Sequence, residues 1–336
     1  MPERSSDFPQ VQLHVITGKG GTGKSTVAAS LALALASRGQ TVLLCEVEGR
    51  QGIAQMFDVA PLPYAETLVV KGSQDPDEVR GDVYALAIDA EAALLEYLAM
   101  YYRLGRAGKA LDRFGVIDFA TTIAPGVRDV LLTGKVYEAA NRNARNKNAR
   151  RYDAVVLDAP PTGRIAQFLN VNNELAGLAR MGPIKSQADT VTTLLRSERT
   201  AVHLVTVLEE MPVQETADGV AELRADQLPV GGVIVNLIRP QDLDEGDRAA
   251  LLAGTVDRAA LNRSLERAGV HADDTLVEAL LEEGHDHSRR RQLEDEQRAL
   301  VANIGLPTYE LPRLAGGTDL TGLYELAEEL CAQGLA

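Results

Sequence analysis

Cysteine is nearly absent from this 336-residue chain, which has only Cys45 and Cys331. Two thiols so far apart make neither a disulfide framework nor a cysteine-rich metal site, and they fit a reducing compartment. Positive charge is also scarce. Lys plus Arg number 34 against 48 Asp plus Glu, a net charge of −14. That balance argues against a protein that coats a nucleic-acid backbone. Long apolar runs are missing too. The longest, around Ala28 to Ala36, is about half of what a membrane span needs, and Met1 to Gln10 has no apolar core of a secretory leader. The expectation is a cytoplasmic protein with no nucleic-acid partner and no stable membrane anchor. The 45% of apolar residues suffices for a folded core.

What is present is a repeated alternation of strand and helix. Apolar runs at Val11–Thr17, Thr41–Val47, Val83–Ile88, Ala154–Leu157, Ala201–Leu208, Gly232–Leu237 and Thr308–Leu311 read as strands, with long helical stretches between them. The predicted class is α/β, a doubly wound and mostly parallel sheet of the P-loop NTPase type with helical insertions. The expected organisation is a single nucleotide-binding domain over 1–336. A helical insertion falls at about 91–150 and a charged helical block at about 242–303. In the insertion, Leu94, Tyr97, Leu98, Tyr101 and Tyr102 share one helix face. Asn141–Arg151 holds five basic residues. With no aromatic side chain interleaved to stack on bases, it reads as a solvated loop.

Gly18-Lys19-Gly20-Gly21-Thr22-Gly23-Lys24-Ser25 satisfies G-x-x-x-x-G-K-[ST] between a strand and a helix. Glycines let backbone N–H groups converge on a phosphate, and the following helix points its positive end at the same anion. The expected cradle is Gly20, Gly21, Thr22, Gly23, Lys24, Ser25 and Thr26. Lys24 reaches the β- and γ-phosphates, and the Ser25 hydroxyl ligates Mg²⁺. Asp158 ends an apolar strand, where ligands bind in open α/β sheets, and is placed to hold a Mg²⁺-bound water. Gly163 supplies a backbone able to move with the γ-phosphate. The expected cofactors are ATP or ADP and Mg²⁺. The chain carries one such loop and no internal repeat.

The second loop lysine, Lys19, is more than a common phosphate loop needs. The pattern K-G-G-x-G-K-[ST] resembles the deviant loop of dimeric ATPases that include the ArsA/Get group, MinD, ParA and the nitrogenase iron protein. By that resemblance Lys19 acts in trans on a partner subunit's γ-phosphate, and the second site comes from a second chain. Further motifs resemble the ArsA/Get family along nearly the whole length. They are D-A-P-P-T-G-R at Asp158–Arg164, Y-A-L-A-I-D-A-E at Tyr84–Glu91, Pro125-Gly126 with Asp129, Glu215-Thr216, V-I-V-N-L at Val233–Leu237 and Leu311-Pro312. The resemblance implies adenine contacts at Asn236 and Pro312. It also implies a first switch at Glu48-Gly49-Arg50-Gln51, in which Glu48 positions or deprotonates the attacking water. The family writes Asp there. A carboxylate displaced by one methylene predicts slow ATP hydrolysis.

Other family features are missing. No C-x-x-C pair supports a zinc clasp, so no zinc is expected; His285-Asp286-His287 offers two ligands and does not fill a site. The cysteines for arsenite coordination are lacking. The segment Asn170–Thr200 is short and holds one methionine, Met181, where client-shielding members are methionine-rich. The expected function is a Mg²⁺-dependent ATPase switch, a homodimer or a heterodimer with a paralogue, acting on an unidentified protein client. Two rivals are a slow or inactive regulatory subunit and a ParA/MinD-like positioning module. The second is disfavoured by a last helix with Asp319, Glu325, Glu328 and Glu329 and no basic residue.

Overall fold

The computed structural model describes residues 5–49, 51–73, 80–102, 125–142, 149–170, 183–271 and 273–336. Eight strands form one sheet: β1 (Leu13–Gly18), β2 (Val42–Glu46), β3 (Thr67–Val70), β4 (Val83–Ala87), β5 (Ala154–Asp158), β6 (Thr200–Thr206), β7 (Val230–Ile238) and β8 (Thr308–Pro312). Their order is β3-β4-β2-β5-β1-β6-β7-β8. All neighbours pair in parallel except β3, which runs antiparallel to β4. The seven predicted strands are present, and β3 is an addition at the edge.

Every residue of β1, β2, β4, β5 and β6 is buried, the condition of parallel strands covered on both faces. One face is covered by α1 (Lys24–Ser37), whose Val27 to Ala36 are all buried. A helix apolar all round needs a second partner. It finds one in α11 (Leu320–Gln333), which lays Leu323, Leu326, Ala327 and Leu330 against it. The apolar face of this last helix is therefore used internally. The other face of the sheet is covered by α4 (Pro125–Ala140), α5 (Thr162–Leu169), α6 (Pro183–Leu195) and α7 (Glu210–Ala225). The short α2 (Gly52–Met56) follows β2, and α3 (Ala90–Tyr102) follows β4.

The charged block forms three helices: α8 (Glu245–Ala253), α9 (Arg258–Arg267) and the long α10 (Asp274–Ala302). Each starts at an aspartate whose side chain accepts from first-turn N–H groups: Asp244, Asp257 and Asp273. Within the predicted insertion the structure describes α3 and α4; residues 103–124 and 143–148 lie outside the described residues. Leu94 packs beside Ala93 and Leu131, while the side chains of Tyr97, Leu98, Tyr101 and Tyr102 also lie outside them. Among the described residues, no helix is long and apolar enough to cross a membrane.

From β1 the chain crosses to β2 on one side, and after β5 it crosses to β6 on the other. The loops after β1, β5 and β6 therefore meet at a topological switch point, where open α/β sheets bind ligands.

Candidate functional site

The loop after β1 is pinned from beneath and open above. A Cβ on Gly18 would run into the Val205 carbonyl of β6, so only glycine allows this approach. Gly23 adopts φ +88° as the residue before α1, and a Cβ there would strike the Asn236 amide. Above Gly20 and Gly21, by contrast, an added Cβ would meet nothing within 4 Å. No side chain caps the start of α1, and its first turn carries no acidic residue. Its opening N–H groups thus remain available to an anion, beside the positive end of the helix. The Thr22 hydroxyl donates to the Lys19 carbonyl at 2.8 Å, and the Thr22 carbonyl accepts from Asn236 Nδ2 at 2.9 Å.

At the same end of the sheet three carboxylates gather. The Ser25 hydroxyl donates to Asp158 Oδ2 at 2.5 Å. Asp158 is 8% exposed, and burial pushes its carboxyl up to about 6. The Ser25 bond and the Lys24 charge oppose that rise, while Glu46 and Glu48 add to it. Glu46 is itself buried, and register pairs it with Asp158 across β2 and β5. Sequence reasoning placed Ser25 and Asp158 here and gave Glu46 no separate part, although it too ends an apolar strand. The donor set of one hydroxyl and hard carboxylates fits Mg²⁺, which takes few protein oxygens and completes its shell with phosphate and water. Among the described residues, no group of three or more His, Cys, Asp and Glu is arranged to hold a metal alone.

The segments flanking this cluster are bent. Gly49 has φ +66° and Gln51 φ +56°, the latter unfavourable for a residue with a side chain. The Gln51 amide holds its turn by bonding both the N–H and the carbonyl of Leu62. Arg50 lies outside the described residues. The segment Asp158–Arg164 is tied to β1, since the Thr17 hydroxyl donates to the Pro160 carbonyl at 2.7 Å. At Gly163 an added Cβ would meet nothing within 4 Å.

A cleft of about 550 Å³ opens beside the loop. Lys19 to Thr22 form one wall, Asn236 to Arg239 another, and Glu294 of α10 and Arg313 close it. Leu237 has φ +60° and is 46% exposed at this cleft. Pro312 ends β8 and is exposed, and it is the next residue, Arg313, that lines the cleft. Lys19 points within its own chain, its ammonium 2.7 Å from Glu215 of α7. That contact joins two residues nearly two hundred positions apart, and no local pattern announces it.

The thiols stand apart from the site. Cys45 is fully buried in β2, where burial pushes it up to about 12. Cys331 lies on α11 with its Sγ 3.5 Å from the Ala34 carbonyl. His285 is beside Asp286 at 3.6 Å on the exposed side of α10.

Comparison with known proteins agrees with this geometry. The family model described as an anion-transporting ATPase matches residues 11–195. The chain is 51% identical over 325 residues to the ATPase BagA of Mycobacterium tuberculosis, covering 97% of this chain and 94% of that one. It is 25% identical to the ATPase GET3 of Kluyveromyces lactis, over 69% of this chain and 73% of the relative. To an arsenical pump-driving ATPase of Acidiphilium multivorum it is 25% identical over 73% of its own length, but this match covers 42% of that protein.

Proposed function

The chain belongs to the anion-transporting ATPase family, the ArsA/Get-type ATPases, and from that premise we propose that it is a Mg²⁺-dependent ATPase that closes as a dimer around its nucleotide. The observation that carries the reading is the Ser25–Asp158 bond at the mouth of an uncapped helix, with Lys24, Glu46 and Glu48 around it. Charge of one sign is crowded there in a dry setting, as at sites built to receive a cation.

In this reading the backbone from Gly20 to Thr26 and the Lys24 ammonium hold the phosphates. Ser25 would hold Mg²⁺ and Asp158 a water bound to it; when bound, the ion would supply positive charge to the phosphates. Glu48 orients the attacking water and accepts its proton. Lys19 leaves its own chain and meets the γ-phosphate bound by the partner subunit, where such a cation is worth about 10³ to 10⁵ in rate in other NTPases. Loss of the γ-phosphate then releases the segments at Glu46–Gln51 and Asp158–Arg164.

Purine choice follows from Asn236. One of its N–H groups is committed to the Thr22 carbonyl, which fixes the amide's orientation. One N–H and the carbonyl are left, a donor and an acceptor that match adenine N7 and N6 and mismatch the two acceptors of guanine.

We read the dimer as formed from two copies or from this chain and a paralogue, the partner client as a protein, and the compartment as the cytoplasm, where the free thiols Cys45 and Cys331 stay reduced. No anion cargo is proposed, since these thiols lie on separate elements away from the site.

The test is phosphate release from ATP by the purified chain with Mg²⁺, beside Lys24→Ala. Turnover that depends on Mg²⁺ and on Lys24 supports the reading. Tight ATP binding without turnover, alone or with a paralogue, replaces it by a nucleotide-holding regulatory subunit.

A further inference from the structure

Lys19 is the residue on which the dimer reading turns, and in the free chain it is engaged elsewhere. Its ammonium sits 2.7 Å from Glu215 Oε1, with both side chains about one-third exposed. Exposure of that size leaves the pair reachable by water and exchangeable, unlike a buried ion pair. The backbone at Lys19 is fixed at the same time, because its carbonyl accepts from both the N–H and the hydroxyl of Thr22. The ammonium therefore leaves Glu215 by side-chain rotation, with the loop unmoved.

Glu215 is anchored as well. Its neighbour Thr216 is buried and donates to the Pro212 carbonyl within α7. One turn further on, Gly219 faces Thr162 so closely that an added Cβ would lie 2.8 Å from its methyl. Thr162 opens α5 within the segment Asp158–Arg164, and its buried hydroxyl has no hydrogen-bond partner. The carboxylate that holds Lys19 thus rides on a helix in direct contact with the segment expected to move with the γ-phosphate.

We propose that Glu215 is a positioning residue: it keeps the Lys19 ammonium within its own chain until association offers it the partner's γ-phosphate. The proposal rests on the dimer reading above. Two sites compete for one cation. Glu215 opposes closure without nucleotide, and the three or more negative charges of a bound triphosphate outbid a single carboxylate. Removing the Glu215 charge frees Lys19 early and leaves the phosphate cradle intact.

The test follows association of the full chain with Mg²⁺ and ATP by sedimentation over a range of protein concentrations, with phosphate release measured in parallel. Glu215→Gln is expected to dimerise at a protein concentration about four- to twenty-five-fold lower than the parent chain, the worth of the two exposed ion pairs that a dimer of two copies breaks, with ATP affinity of the monomer unchanged. Glu222→Gln, two turns along the same helix and exposed, makes the same charge change and is expected to match the parent. In a Lys19→Ala background Glu215→Gln is expected to shift nothing. An unshifted Glu215→Gln, or a shift of equal size without Lys19, overturns the proposal. The dimer reading fails separately: it falls if the parent does not associate with ATP, alone or with a paralogue, or if Lys19→Ala turns over like the parent. Where the parent associates and Lys19→Ala is impaired, an unshifted Glu215→Gln condemns the role of Glu215 alone.

Discussion

Two groups of largely buried titratable side chains lie along β1, one near its start and one toward its end, and they are built on opposite plans. Near the start, His14 Nδ1 and His203 Nε2 are 3.2 Å apart, with the rings stacked and Phe8 set edge-on to His203. The Gly232 N–H donates to His203 Nδ1. His203 therefore carries its proton on Nε2 and donates it to His14. Burial lowers His14 to about 4 and holds His203 well below its usual range, so the pair is neutral and satisfied from within. Toward the end, Glu46, Glu48 and Asp158 bring charge of one sign together near the Ser25 hydroxyl and Lys24, with the Ile53 N–H donating to Glu46. A closed polar pair is architecture. A group left short of positive charge is built for a ligand.

The largest expected effect breaks the open end. Lys19→Ala is predicted to lower ATP turnover by about 10³-fold or more while ATP binding, measured by equilibrium titration, is retained. Loss of both together would make Lys19 an ordinary phosphate contact in cis.

The closed end is next. A histidine lowered on folding adds stability above its unfolded value of 6.5, and that stability drains away as pH falls below 6.5 toward the folded value. At pH 5.5 the pair is expected to have removed on the order of 1 to 3 kcal/mol. Denaturant titrations at pH 7.5 and 5.5 measure it. His14→Leu should flatten the dependence, and a slope unchanged by that substitution would place the acid sensitivity elsewhere.

How much of this contrast was legible beforehand depended on distance along the chain. Gly18–Ser25 was readable because its chemistry needs consecutive residues. Asp158 was readable because it ends an apolar run in front of a Pro-Pro-Thr-Gly turn. Glu46 ends such a run as well, but only the pairing of β2 with β5 sets it against Asp158. The Lys19–Glu215 contact and the two histidines join segments nearly two hundred residues apart, which only the fold brings together. The histidines did carry a signal, being polar residues inside otherwise apolar strands. The strand β3 has four residues, none of them fully buried, and follows Pro61 and Pro63. An edge strand with so little burial leaves no alternation to detect.

Asp158→Asn sharpens the comparison further, because it should move stability and function in opposite directions. Asparagine still accepts from Ser25 but removes one of the crowded charges. The nucleotide-free chain is expected to gain about 1 to 2 kcal/mol near neutral pH, since a carboxylate raised by burial opposes folding once ionised. The further stabilisation by Mg²⁺ and ATP, which scales with ligand over dissociation constant, is expected to shrink. A variant that loses stability without ligand would show that Asp158 supports the fold.

The smallest effect concerns backbone strain, which also collects at the open end. Leu237 holds φ +60° at the wall of the cleft beside the loop, a conformation that leucine disfavours by about 1 kcal/mol and asparagine tolerates. Half-exposed, its side chain loses little burial when replaced. Leu237→Asn should therefore raise the stability of the free chain by about 1 kcal/mol. It should also weaken ATP about five- to tenfold, because an apolar wall for the base has been removed. Thermal unfolding and nucleotide titration on one preparation measure both. A gain in stability with ATP affinity intact would mean that the strain at Leu237 serves the turn into Arg239 and the β8 pairing, not the ligand. A joint change would mean that strain, like the crowded carboxylates, is retained at this end of the sheet because binding uses it.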